Sequence, residues 1–224
     1  MTPLNTFIDH TLLKPTATQE EIKTLCSEAL KHQFFSVCVN SCYVPLAKQI
    51  LENSTVKVCS VVGFPLGAMS TAAKVEEAKN ALKNGADEID MVMNIGFFKN
   101  GDFTAVAHDI KAVKQIMPKN TLKVILETCY LNDKEIIKAS ELAIANGADF
   151  IKTSTGFGTG GATIKDVKLM LNSIQNHAVK VKASGGIRDT QTALEYINLG
   201  VSRLGTSNGV AIVSGDNNNN KSAY

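Results

Sequence analysis

Asn146-Gly-Ala-Asp-Phe-Ile-Lys152 decides the reading of the fold, because Asn84-Gly-Ala-Asp-Glu-Ile-Asp90 repeats its pattern earlier in the chain. Each copy ends a helical pattern, stops it with a glycine where a left-handed residue is expected, and starts a strand. The two copies mark two rounds of one helix-to-strand unit. They also place Asp90 and Lys152 at equivalent depths in their strands.

Working outward, strand-like runs recur at Thr6–Asp9, Phe35–Asn40, Val56–Val62, Glu88–Met93, Leu122–Glu127, Phe150–Thr153, Val179–Ala183 and Ser202–Gly205. Amphipathic stretches such as Thr18–His32, Ser70–Asn84, Asp133–Asn146 and Asp189–Leu199 separate them. Thr18 followed by Glu21 predicts a capping box. Gly85, Gly147 and Gly200 each follow a helical stretch. Strictly alternating strand and helix implies parallel strands joined by right-handed crossovers. Eight units in this length give about 28 residues each, a compact single-domain (β/α)8 TIM barrel of the α/β class. An open doubly wound sheet is disfavoured because no GxGxxG follows the first strand. The barrel is expected over 1–214. The polar, low-complexity stretch 215–224 is expected to be a flexible tail.

Composition narrows the function classes. The 224 residues carry 23 basic and 21 acidic side chains, with no basic stripe of the kind a nucleic-acid partner requires. Five scattered cysteines without a CxxC pair suit free thiols in a reducing cytosol. No apolar run approaches the roughly 20 residues of a membrane helix, and the first residues do not form a signal peptide. The expectation is a soluble cytoplasmic protein with no membrane partner.

Side chains alternate faces along a strand. Asp9, Cys38, Asp90, Glu127, Lys152 and Lys182 then point into the barrel, near the strand ends where barrel active sites are built. Buried unpaired charge is costly, so these groups pair or do chemistry. Two lysines beside an aspartate suit nucleophilic amine chemistry, since a second cation and partial desolvation lower a lysine pKa. A purely structural ion-pair cluster fits the spacing equally well. The glycine-rich turns Ser184-Gly-Gly-Ile-Arg188 and Gly205-Thr-Ser-Asn-Gly209 follow the seventh and eighth strands, the usual place for a barrel phosphate site. Thr206 or Ser207 is expected to cap the short helix there. His10 reads as a structural residue, Cys38 as a small apolar one, and the methionines of the fourth strand as core.

The segments IDHTLLKP (8–15), EIDMVMNIG (88–96), FIKTSTGFG (150–158), VKASGGIR (181–188) and RLGTSNG (203–209) resemble the deoxyribose-phosphate aldolase family over nearly the whole chain. The resemblance implies reversible cleavage of 2-deoxy-D-ribose 5-phosphate to acetaldehyde and D-glyceraldehyde 3-phosphate, without metal or organic cofactor. It implies that Lys152 forms the Schiff base, that Lys182 lowers its pKa, and that Asp90 and Asp9 relay protons. It implies substrate and phosphate contacts from Thr155, Gly156, Gly185, Gly186, Arg188, Gly205, Thr206 and Ser207, with a tail contact from Tyr224. Phe157 departs from relatives that carry a phosphate-binding lysine there. The partners implied are a sugar phosphate and small aldehydes, and a homodimer is the expected assembly. Three rivals stay open on the residues alone. They are a Schiff-base aldolase for another sugar phosphate, an isomerase using Glu127 or Asp90 as base, and a sugar-phosphate sensor without turnover.

Overall fold

A computed structural model describes residues 3–175 and 177–215. Its eight strands are β1 (Ile8–Leu12), β2 (Ser36–Val39), β3 (Lys57–Val62), β4 (Glu88–Val92), β5 (Thr121–Ile125), β6 (Phe150–Lys152), β7 (Lys180–Ser184) and β8 (Arg203–Thr206). All neighbours pair parallel in chain order, and β8 closes on β1. The expected barrel is therefore present. Its helices are α1 (Gln19–His32), α2 (Val44–Leu51), α3 (Thr71–Lys83), α4 (Ile95–Lys99), α5 (Phe103–Gln115), α6 (Asp133–Ala145), α7 (Ile164–Ser173), α8 (Thr190–Leu199) and α9 (Gly209–Ser214). No helix among the described residues is long and apolar enough to cross a membrane. The tail beyond 215, including Tyr224, lies outside the described residues.

Several strand boundaries differ from expectation, the first strand's most. The first strand begins at Ile8, because Leu4–Phe7 forms a 3-10 turn. The Thr6 hydroxyl donates to the Pro3 carbonyl at 2.7 Å, and the Thr6 amide donates to the same oxygen at 3.1 Å. Local side-chain bonding of this kind draws Thr out of the strand. Asp9 keeps its inward place. The capping box at Thr18 and Glu21 forms as expected.

The sequence echo has a structural cause. Gly85 and Gly147 adopt positive φ, at 102° and 93°. A Cβ on either would press on a lysine stem, Lys48 in one case and Lys114 in the other. Two residues on, Asp87 and Asp149 act as staples. Asp149 accepts from the Leu122 amide at 2.8 Å and from Lys114 Nζ at 2.7 Å. Asp87 accepts from the Val58 amide at 2.9 Å. Each aspartate thus sets the start of its own strand against the preceding one. Asp149→Ala is expected to cost about 1–3 kcal/mol by stranding a half-buried strand amide. A urea-denaturation midpoint unchanged from the parent would contradict this.

The strand alternation then sorts the residues. Ile8, Val37, Val58, Ile89, Met91, Val124, Ile151, Val181 and Leu204 are fully buried between strands and helices. The opposite face fills the barrel. The buried Phe150 and the exposed Phe35 flank Arg203, and the guanidinium carbon lies 3.2 Å from the Phe35 ring centroid. Such stacking favours the planar guanidinium of an arginine.

Candidate active site

The inward charges form a closed ring. Asp9 pairs with Arg203 and with Lys182, the latter at 2.5 Å. Arg203 reaches Glu88 at 2.6 Å, and Glu88 reaches Lys123 at 2.6 Å. Lys123 donates to Asp90 Oδ1 at 2.7 Å, and Lys182 donates to Asp90 Oδ2 at 2.8 Å, which completes the circuit. Every member is at least nine-tenths buried. Lys152 hangs outside the ring, donating to the same Asp90 Oδ2 at 2.9 Å. Ser36 donates to Asp9 Oδ1 at 2.7 Å.

The charges balance without Lys152. Asp9, Glu88 and Asp90 supply three negative charges, and Arg203, Lys123 and Lys182 supply three positive ones. Buried charges persist only when compensated. A protonated Lys152 would add one positive charge that the ring does not need. The geometry therefore distinguishes two lysines that strand alternation treats alike.

Asp9, Asp90, Lys123 and Lys182 hold their charges firmly. Burial pushes the Asp90 carboxyl up, but the facing lysine side chains, Lys123 first and then Lys152 and Lys182, outweigh it and hold it well below the usual carboxylate range. Burial likewise opposes ionised Asp9, and Arg203 and Lys182 overcome it. Burial works against charge on Lys182, yet Asp9 and Asp90 raise its pKa above the ordinary lysine value. Lys123 is raised for the same reason by Asp90 and Glu88.

Lowered carboxylates stabilise the fold above their unfolded pKa of about 4 and lose that contribution as pH falls. Raised lysines stabilise it below about pH 10.4 and lose that contribution as pH rises. Stability is therefore expected to be flat from about pH 5 to 9 and to fall on both sides. Denaturation midpoints measured across pH check this, and a steep slope inside the neutral window would contradict it.

The loops after β6, β7 and β8 gather at the same end of the barrel. Gly185 and Gly186 take positive φ, at 85° and 82°, in the turn after β7. A Cβ on Gly185 would lie 2.9 Å from Gly161 Cα, so the β6 and β7 loops need this glycine to pack. Gly186 and Arg188 are exposed at that rim. Gly205 is also closely packed, and a Cβ there would lie 2.9 Å from Ser184 Cβ. Its missing Cβ leaves room for Lys182, whose Cε would be 3.1 Å away. Thr206 Oγ1 donates to the Ile187 carbonyl at 2.7 Å and accepts from the Asn208 amide at 2.9 Å. The residue at the start of α9 is Asn208, without a side-chain cap, rather than Thr206 or Ser207. Ser207 donates to Asn208 Oδ1 at 3.0 Å and borders a cavity of about 250 Å³ between β1 and α1.

Three ring members were not anticipated, namely Lys123, Glu88 and Arg203. Glu127 turns inward as expected, but beyond the end of β5, and its carboxylate is held by Thr155 rather than by the ring. Gly156 follows with φ of 88°. His10 faces outward and pairs with Glu28 at 2.7 Å, a structural role. Cys38 is buried with Leu13, Cys59, Val61 and Phe64. The donor atoms of Cys38, Cys59 and Asp90 lie within 4.8 Å of one another. The ammonium groups of Lys123 and Lys182 already face Asp90, so the local field opposes a metal cation there. Phe157 packs edge-on against Phe64, with ring centroids 5.3 Å apart.

Comparison with known proteins agrees with this architecture. The chain is 56% identical over 212 residues to a deoxyribose-phosphate aldolase from Finegoldia magna, covering 95% of this chain and 99% of that one. The solved aldolase QR15 superposes with a TM-score of 0.91 at 43% identity, covering 96% of each chain. A deoxyribose phosphate aldolase from Aeropyrum pernix, described as tetrameric, superposes with a TM-score of 0.88 at 32% identity, covering 94% of this chain and 89% of that one. The DeoC/LacD family aldolase model matches residues 5–213, and the chain belongs to that family.

Proposed function

We propose that the protein is a class I aldolase of deoxyribose phosphate catabolism. It cleaves 2-deoxy-D-ribose 5-phosphate reversibly to acetaldehyde and D-glyceraldehyde 3-phosphate. The observation that carries this reading is the charge-balanced ring with Lys152 pendant on Asp90. A neutral amine is the form that attacks a carbonyl, and the ring is complete without a charge on Lys152.

Lys152 Nζ adds to the aldehyde carbon of the open-chain sugar. The carbinolamine loses water with a proton from the Lys182 side, through the carboxylate that the two lysines share. The resulting iminium draws electrons from the C2–C3 bond, since acetaldehyde retains C1 and C2. As that bond breaks, the C3 hydroxyl gives up its proton and C3 becomes the aldehyde carbon of the phosphate product. Asp90 and Lys182, with Asp9 behind them, relay a proton to C2 of the enamine, and water releases acetaldehyde from Lys152. Positioned acid–base groups of this kind contribute about 10²–10⁴ in rate. Asp90 and Lys182 hold their charges tightly at rest, so they act as a paired relay.

The substrate phosphate falls to the rim built by Gly185, Gly186, Arg188, Thr206 and Ser207, with Thr155 and Gly156 along the sugar chain. The exposed, positive-φ Gly186 beside Arg188 supports this placement. No metal or organic cofactor enters any step. Five free thiols suit a cytoplasmic location. A homodimer is the assembly proposed. Light scattering on eluted protein separates it from the tetramer described for the Aeropyrum pernix relative. The decisive test of function is borohydride reduction in the presence of acetaldehyde, followed by peptide mapping. A two-carbon adduct on Lys152 is expected, and its absence would overturn the reading.

A further inference from the structure

Glu127 occupies a backbone conformation that suits glycine. Its φ is 57° and its ψ is 64°, just beyond Leu126, which follows the end of β5. A residue with a side chain at this position works against local stability, and such strain concentrates where a side chain is needed. The side chain is buried, and both carboxylate oxygens are directed at one residue. Oε1 accepts from the Thr155 amide at 3.0 Å, and Oε2 accepts from the Thr155 hydroxyl. Space for the carboxylate is kept by Gly158, whose Cβ would lie 3.2 Å from Glu127 Cδ and 2.8 Å from Cys129 Sγ. Thr155 Oγ1 also accepts from the Phe157 amide at 3.0 Å.

These bonds fix the polarity of the Thr155 hydroxyl. Its proton is committed to Glu127, and one of its two lone pairs is committed to Phe157. The lone pair that remains can only accept. Thr155 and Glu127 line a small cavity of about 80 Å³, whose other walls include Pro65, Leu66 and Phe157. Thr155 follows Lys152 by three residues on the loop leaving β6, and the Glu127 carboxylate lies within electrostatic reach of Lys152.

We infer that Glu127 is a specificity-determining positioning residue, which holds Thr155 as a pure acceptor for a hydroxyl of the sugar chain. The inference rests on the aldolase reading. A substrate hydroxyl donates to Thr155 Oγ1, and a chain lacking that hydroxyl leaves a buried acceptor unmatched. Sites built around a substrate hydroxyl discriminate strongly for this reason.

Glu127→Gln tests the polarity while keeping the shape. A glutamine whose oxygen takes the Thr155 amide turns its NH2 toward the Thr155 hydroxyl. The hydroxyl must then accept from glutamine and present its proton to the substrate. KM for 2-deoxyribose 5-phosphate is expected to rise about tenfold with kcat little changed. The rate of borohydride-trapped adduct formation with acetaldehyde, which lacks a hydroxyl, is expected to match the parent. Thr155→Val is expected to raise KM similarly, and adding Glu127→Gln to it should raise KM no further. Unchanged KM in Glu127→Gln would overturn the inference, as would additive effects in the double variant. A fall in acetaldehyde trapping would overturn it too, by making Glu127 part of the general support of Lys152. If the parent forms no adduct at Lys152, the aldolase reading itself fails, and that result is separate from these.

Discussion

Lys152→Leu is expected to lose on the order of 10⁵-fold or more in kcat, with the barrel intact. Removing a covalent nucleophile deletes the route rather than slowing one step, and losses of that size follow when no substitute group is in place. Lys182 is the nearest candidate to substitute, and the ring argues against it. Lys182 is fully buried between Asp9 and Asp90, and both carboxylates hold its proton. Lys152 makes one contact to the ring and is the lysine left over when the charges are counted. Its removal subtracts one member without opening the circuit, so the fold should tolerate leucine at a cost typical of a single buried contact. The checks are steady-state cleavage, borohydride trapping, and the thermal midpoint. Lost adduct and lost turnover with a near-parental midpoint support the assignment. Retained turnover, or an adduct on Lys182, would remove Lys152 from the role.

Much of this site was readable because period-2 alternation survives in short barrel strands. Asp9, Asp90, Lys152 and Lys182 were placed inward by parity alone, and they meet. The same parity points Glu88 inward two residues before Asp90, Lys123 four residues before Glu127, and Arg203 two residues before Gly205. The signal for the missing ring members was thus present. What parity cannot give is the register between strands, which decides which inward charges touch. The pairing of Asp90 with Lys123, and of Lys152 with Lys182, is a property of the closed barrel. Register also places Gly205 opposite Ser184, where its missing Cβ makes room for Lys182. Thr6 misled for a local reason, since its hydroxyl bonds back to Pro3 and the strand starts only at Ile8. The left-handed turn at Glu127 left no mark in the residue type, because glutamate does not ordinarily announce positive φ.

Lys123→Met is expected to damage both stability and catalysis, through charge rather than through shape. Lys123 is fully buried and bridges Glu88 at 2.6 Å and Asp90 at 2.7 Å. Methionine fills much of the same volume but carries no charge, so the ring is left with one negative charge in excess. Stranding buried charge in this way costs about 3–5 kcal/mol. The catalytic consequence follows from the same count. A proton on Lys152 would now restore neutrality, and a protonated amine cannot attack an aldehyde. Turnover at neutral pH should fall by about 10²-fold and recover in part as pH is raised. Glu88→Gln placed on top of Lys123→Met removes the excess negative charge. That double variant should regain a large part of the lost stability and of the neutral-pH activity, although it carries two substitutions in place of one. A loss caused only by packing would instead deepen when the second side chain is changed. Unfolding midpoints and pH profiles of kcat for the two variants separate these outcomes. A double variant no better than Lys123→Met would show that balanced charge is not what keeps Lys152 ready to react.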